Sequence, residues 1–286
     1  MQNFQTAASV LKHRLPHSAK PHSRILPQRG INMNVTVGAQ LFTLRNFTQT
    51  PKDFDRTVSR VAAMGYRTVQ LSAVGDSVTP PIAREICDKY GVQIVLTHSK
   101  VERILHDTEN LIHDHEIMGC RYIGLGSMPE KYQDPEWIEN FIEDFRGPLD
   151  MIRDAGMLFM YHNHDLDFYK ANGKYLLDYL LDGFAPDELG VTLDTYWLAT
   201  AAVDPAEWIE KCADRIPCVH LKDRKVTKDH TEIMAPVMEG NINFKRVMDA
   251  LEKTSCKYAL VEQDVCEESP FEALRISREN LKTLGY

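Results

Sequence analysis

The 286-residue chain has no uninterrupted apolar run of about 18 residues, so it offers no membrane-spanning helix. It has no C-x-x-C pair. Its six cysteines, Cys87, Cys120, Cys212, Cys218, Cys256 and Cys266, are scattered. They read as reduced thiols in a cytoplasmic protein, and not as a zinc cluster or a disulfide framework. Glycine-rich phosphate turns are missing too. There is no Walker A motif, and Gly38-Ala39-Gln40-Leu41 stands where a dinucleotide fold would carry G-x-G-x-x-G. Positive charge is not in excess: the net charge is −8, which argues against sequence-independent binding of nucleic acid.

Acid is lacking in one place. The first 30 residues carry Lys12, Arg14, Lys20, Arg24 and Arg29 and no Asp or Glu, so the rest of the chain is more acidic than the total. This leader has no apolar segment long enough for a secretion signal. It reads as a disordered basic extension over 1–33, a transit-like peptide, or an extended start ahead of Met33.

From residue 34 to 286 a single domain is expected. Eight apolar runs recur: Val35–Gln40, Tyr66–Ser72, Val92–His98, Tyr122–Ser127, Met157–His162, Leu189–Asp194, Ile216–Lys222 and Lys257–Glu262. Between them lie helix signals. Thr50-Pro51, Thr79-Pro80, Asp134-Pro135, Asp204-Pro205 and Ser269-Pro270 each set a capping residue before a proline, whose missing N–H costs nothing in the first helical turn. Phe54, Val58, Val61 and Ala62 share one helix face. Gly65, Gly91, Gly119 and Gly156 stand where left-handed helix ends are expected. Strands alternating with helices over about 250 residues predict a parallel α/β fold, a closed (β/α)8 TIM barrel, with an open doubly wound sheet as the alternative. Residues 223–241 form the longest connection after a strand, a candidate lid or partner-contact loop.

Barrels of this kind place chemistry at the C-terminal ends of their strands. Those ends carry Gln40, Gln70, His98, His162 with His164, Asp194, His220 with Lys222, and Glu262 with Asp264. One such histidine is usually a solvated or backbone-bonded residue. Four consecutive strands ending in His, Asp, His and Glu point to one shared site. Imidazole plus carboxylate, without thiolate, suits a divalent ion such as Mn²⁺, Co²⁺ or Zn²⁺, and Mg²⁺ less well.

Five motifs in order carry a resemblance: Y-H-N-H-D-L-D-F at 161–168, L-D-T-Y-W at 193–197, V-H-L-K-D at 219–223, E-G-N-I-N-F at 239–244 and L-V-E-Q-D at 260–264. Together they resemble the xylose isomerase-like TIM barrel family, in its sugar phosphate isomerase/epimerase branch, over about residues 34–286. The resemblance implies one divalent metal (Mn, Mg, Co or Zn) held by His162, Asp194, His220 and Glu262. His164 is the second choice on strand five, where many relatives have Glu. It also implies proton movement next to a carbonyl through an enediolate, on a sugar or keto-sugar derivative. Glu262 is the base, with His162, His164 or Asp167 as its partner, and Lys222 donates to a developing oxyanion. His98, His164, Asp167, Trp197 and Gln40 are expected at the carbohydrate, with Phe42 a further stacking candidate. A lyase or hydratase acting on a keto-glycoside or inosose is the alternative, and a sugar-binding barrel without activity the third reading. The family's DNA-repair members carry Asp-x-x-His after strand six. Here that position reads Asp194-Thr195-Tyr196-Trp197, so no nucleic acid partner is expected. Relatives often pair, which makes a homodimer the expectation.

Overall fold

Each of the eight apolar runs forms one strand of a closed parallel barrel in the computed structural model, which describes residues 35–133, 138–267 and 269–286. The basic leader and the Asp134-Pro135 cap lie outside these residues. The strands are Thr36–Gln40, Thr68–Leu71, Gln93–His98, Tyr122–Leu125, Leu158–His162, Leu189–Asp194, Cys218–Leu221 and Tyr258–Val261. They pair in chain order, and the first closes on the last with Thr36 opposite Tyr258. All the strands but Leu189–Asp194 are shorter than the apolar runs. Ser72, Lys222 and Glu262 fall just past the last paired residue, where the chain turns off the barrel rim. Nearly every strand residue is buried, because helices cover the outer face while side chains fill the inside.

The helical layer follows the cap signals in part. Helices Pro51–Ala63, Pro80–Lys89, Pro205–Lys211 and Pro270–Thr283 all begin on the anticipated proline. Thr50 and Asp204 accept backbone N–H groups as caps. Thr79 and Ser269 do not, so at those two starts the proline is the signal that counts. The four glycines all adopt positive φ. Gly119, at φ 65°, closes helix Thr108–Met118 in the left-handed conformation that a side chain would strain.

The period of two along each strand sorts the barrel interior into layers. Leu96, Met160, Cys218 and Leu260 form an apolar layer with Tyr122, and each of those four lies two residues before His98, His162, His220 or Glu262. The apolar layer supports the polar one. Small residues make room for it: a Cβ on Gly38 would come within 2.4 Å of Thr68 Oγ1, and one on Gly190 within 2.6 Å of Met160 Sδ.

The connection over 223–241 is largely ordered. Asp223–Val226 and Glu232–Ala235 pair as an antiparallel hairpin over the end of strand seven. A shorter ribbon, Lys170–Ala171 with Lys174–Tyr175, follows strand five. No described helix is long and apolar enough to cross a membrane.

Candidate active site

His162 ends strand five and Asp194 ends strand six. His220 lies on strand seven, and Glu262 follows strand eight. All four are buried, and one ligand atom from each lies within 4.8 Å of all the others. His162 Nε2 is 3.3 Å from Asp194 Oδ2. His220 Nδ1 is 2.9 Å from Glu262 Oε2 and 3.7 Å from Asp194 Oδ2.

The far side of each ring is fixed. His162 Nδ1 donates to the Gly126 carbonyl at 2.7 Å, and His220 Nε2 donates to Gln70 Oε1 at 2.7 Å. A neutral imidazole with one nitrogen donating keeps a lone pair on the other. Both free nitrogens thus face carboxylate oxygens, so acceptor meets acceptor unless a cation or a proton lies between. His220 Nδ1 is buried with no partner of hydrogen-bond geometry among the described residues. A proton can meet part of that need. Burial pulls the His220 imidazole down, but Glu262 and Asp194 outweigh it and raise it to about 9. Burial likewise pushes both carboxyls up, but Lys222 and the histidines hold Asp194 and Glu262 below the usual carboxylate range. Two imidazole nitrogens and two carboxylates, converging with a buried nitrogen unspent, fit a borderline divalent ion.

Asp194 is set by its other oxygen. Oδ1 accepts the Tyr196 and Trp197 N–H groups at 2.8 and 3.2 Å, capping the short helix Thr195–Thr200, while Asn163 Oδ1 accepts the Asp194 N–H at 2.9 Å. Lys222 is buried, with Nζ 2.8 Å from Asp264, 3.3 Å from Glu262 and 3.4 Å from Asp194. These three carboxylates keep it charged against the cost of burial.

A cleft of about 460 Å³ opens over this cluster. His98, His162, His164, Lys222, Glu262 and Asp264 form its ionisable floor, and Phe42, Val101, Leu125 and Pro129 an apolar wall. His98 is half-buried at the cleft edge and neutral. Burial, followed by the neighbouring His162 and His220, holds it far down, and Nδ1 lies 3.3 Å from Ser72 Oγ. His164 is half-buried against Trp197, with ring centroids 4.8 Å apart. Burial, with His162 beside it, brings it to about 3.

Three of the anticipated substrate contacts sit away from this cleft. Asp167 turns back under its own loop: Tyr161 Oη donates to one carboxylate oxygen and the His164 N–H to the other, each at 2.6 Å. Burial raises its carboxyl to about 7. Asp167 therefore shapes the loop that carries His164. Gln40 is fully buried, and its Oε1 accepts the Phe42 N–H at 3.0 Å. Trp197 packs at a tilt against His164 from behind the cleft lining. Conversely, Gln70, Asn163, Gly126 and Asp264 work beside the cluster though none was singled out as a site residue. Gln70 and Asp264 were visible as polar strand ends. Nothing local marks Asn163 or the Gly126 carbonyl.

A family model described as xylose isomerase-like TIM barrel matches residues 58–284. Among curated proteins, an inosose dehydratase from Geobacillus kaustophilus (strain HTA426) is 25% identical over 216 residues, covering 65% of this chain and 69% of that protein. The fold is shared with solved structures. A sugar phosphate isomerase/epimerase from Parabacteroides distasonis ATCC 8503 has TM-score 0.73 at 21% identity, covering 88% of this chain and 95% of that one. A probable 3-DHS dehydratase from Bacillus anthracis has TM-score 0.68 at 12% identity, covering 87% and 99%.

Proposed function

This chain belongs to the xylose isomerase-like TIM barrel family, and from that premise we propose that it is a metal-dependent isomerase or epimerase that moves a proton next to the carbonyl of a sugar or keto-sugar derivative. The observation that carries this reading is the convergence of His162, Asp194, His220 and Glu262 within 4.8 Å of one another, with His162 and Glu262 lining an open cleft. A divalent ion held there would act as a Lewis acid, stabilising negative charge that develops on the substrate oxygens.

The chain's own groups supply the rest. Glu262 is anionic at neutral pH, lines the cleft, and takes the proton from the carbon beside the carbonyl. Lys222 stays an ammonium and directs its N–H groups at oxygens, so it supports an oxyanion in the cleft. His164 is neutral and faces the same space, where its ring can hydrogen-bond a substrate hydroxyl. His98 donates from the buried edge, and the Phe42 wall meets the C–H face of a sugar. The substrate is a small carbohydrate met in the cytoplasm, with neither nucleic acid nor membrane involved.

Elimination of water from the same intermediate is the second reading. The Geobacillus relative is an inosose dehydratase, and strand five here supplies His162 where a two-carboxylate epimerase would need an acid. One experiment covers both. The protein is incubated with Mn²⁺ in D₂O against a panel of keto-sugars and inososes. Deuterium on the carbon beside the carbonyl, with mass otherwise conserved, supports isomerisation or epimerisation. Loss of one water supports the dehydratase, and no exchange with any substrate refutes proton abstraction.

A further inference from the structure

We propose that Asp264 is a positioning residue that draws the Lys222 ammonium off the oxygens a metal ion needs. The inference rests on the metal-dependent reading above and adds a role that neither the site motifs nor the relatives assign. Lys222 Nζ approaches Asp194 Oδ2 and Glu262 Oε2, at 3.4 and 3.3 Å. Those are the same two atoms that face His162 Nε2 and His220 Nδ1. Ammonium and ion therefore compete for one pair of oxygens. Lys222 cannot withdraw to water: it is 1% exposed and its stem rises from the end of strand seven inside the barrel. A buried ammonium left unpaired would be costly.

Asp264 resolves the conflict. Its Oδ2 makes the closest contact to Nζ, at 2.8 Å, and it lies outside the four-residue ligand set. With both imidazoles neutral, three carboxylates against one ammonium leave two negative charges, the amount a divalent ion neutralises. Asp264 is itself held. Arg45 Nη1 donates to its carbonyl and to the Phe42 carbonyl, each at 3.0 Å, and the guanidinium lies 4.4 Å above the Phe42 ring. The turn after strand one thus anchors the turn after strand eight, and with it the resting place of Lys222.

The test is a double-mutant cycle on the full chain, stripped of metal and titrated with Mn²⁺. Asp264→Asn is expected to weaken Mn²⁺ binding about 10- to 100-fold. In a Lys222→Met background, where nothing needs to be drawn away, the same change should cost less than about threefold. Equal losses in both backgrounds would show a plain charge effect and overturn the proposal. So would unchanged affinity in Asp264→Asn. If Asp264→Asn fails to give a folded circular dichroism spectrum, Asp264→Ser is carried through the same cycle. Absence of Mn²⁺ binding by the wild type would refute the metal-dependent reading itself, whereas wild-type binding without coupling refutes only the role of Asp264.

Discussion

Gln70, at the end of strand two, accepts a hydrogen bond at 2.7 Å from Nε2 of His220 on strand seven, 150 residues later. A carbonyl oxygen can only accept, so the proton belongs on Nε2. Nδ1 is left to Glu262 and Asp194. The Gly126 carbonyl fixes His162 in the opposite sense, with Nδ1 donating and Nε2 directed at Asp194. Two strands that contribute no ligand thereby decide which nitrogens a metal would meet.

Gln70→Leu removes that acceptor while keeping the apolar volume. Metal affinity should fall about 10- to 100-fold, read by titration of the stripped protein. Gln70→Glu keeps an acceptor oxygen and should recover most of the loss.

Glu262→Gln keeps the shape of the side chain but removes the base. Turnover and deuterium wash-in should fall by about 100-fold or more, with the far-ultraviolet spectrum unchanged. Retained wash-in would refute Glu262 as the base.

His220→Ala removes one nitrogen from a set of four ligands. A metal that binds only the folded state stabilises it by about 2.7 kcal/mol at a hundredfold excess over Kd. The wild type should show a rise in Tm with Mn²⁺ on this scale, and the variant almost none.

His115 gives a pH dependence remote from the metal ligands. Its Nδ1 donates to the Leu111 carbonyl at 2.7 Å and its Nε2 accepts from Thr97 Oγ1 at 2.8 Å. Burial lowers the imidazole to about 4 from an ordinary 6.5. The unfolded chain therefore binds the proton first. Stability from this group is complete above pH 6.5 and is lost as pH falls toward 4, by about 3 kcal/mol in all. Urea midpoints across that range should slope less steeply in His115→Gln than in the wild type.

Gly38→Ala tests the barrel interior. The new methyl would meet Thr68 Oγ1, Leu260 and the Thr68 carbonyl at 2.4 to 2.8 Å. Overpacking of this kind should cost about 1–3 kcal/mol, measured by denaturant unfolding.

Much of the fold was legible because it depends on local pattern. Six-residue apolar runs, prolines at helix starts and glycines at helix ends are set by backbone sterics and burial, and they marked the alternation that closes the barrel. The strand-end period of two was equally local. It put His162, His220 and Glu262 on inward faces directly above Met160, Cys218 and Leu260. Motif order then linked these residues to Asp194.

The opposite held for Asp167, Gln40 and Trp197, whose residue types suit a carbohydrate but whose side chains turn elsewhere, from a loop, a strand end and a short helix respectively. Asp167 follows strand five by only five residues, yet its oxygens are spent on Tyr161 and the His164 backbone. A polar residue in a loop has no period to say which way it faces.

The sequence by itself determined the barrel, the polar ends of its strands and the metal-suited residue types among them. Only the tertiary structure decided which of those ends meet, which nitrogen of each histidine is free, and that Lys222 rests against Asp264. Side-chain alternation is a property of neighbouring residues, whereas hydrogen bonds such as Gln70 to His220 join residues that only barrel closure brings together.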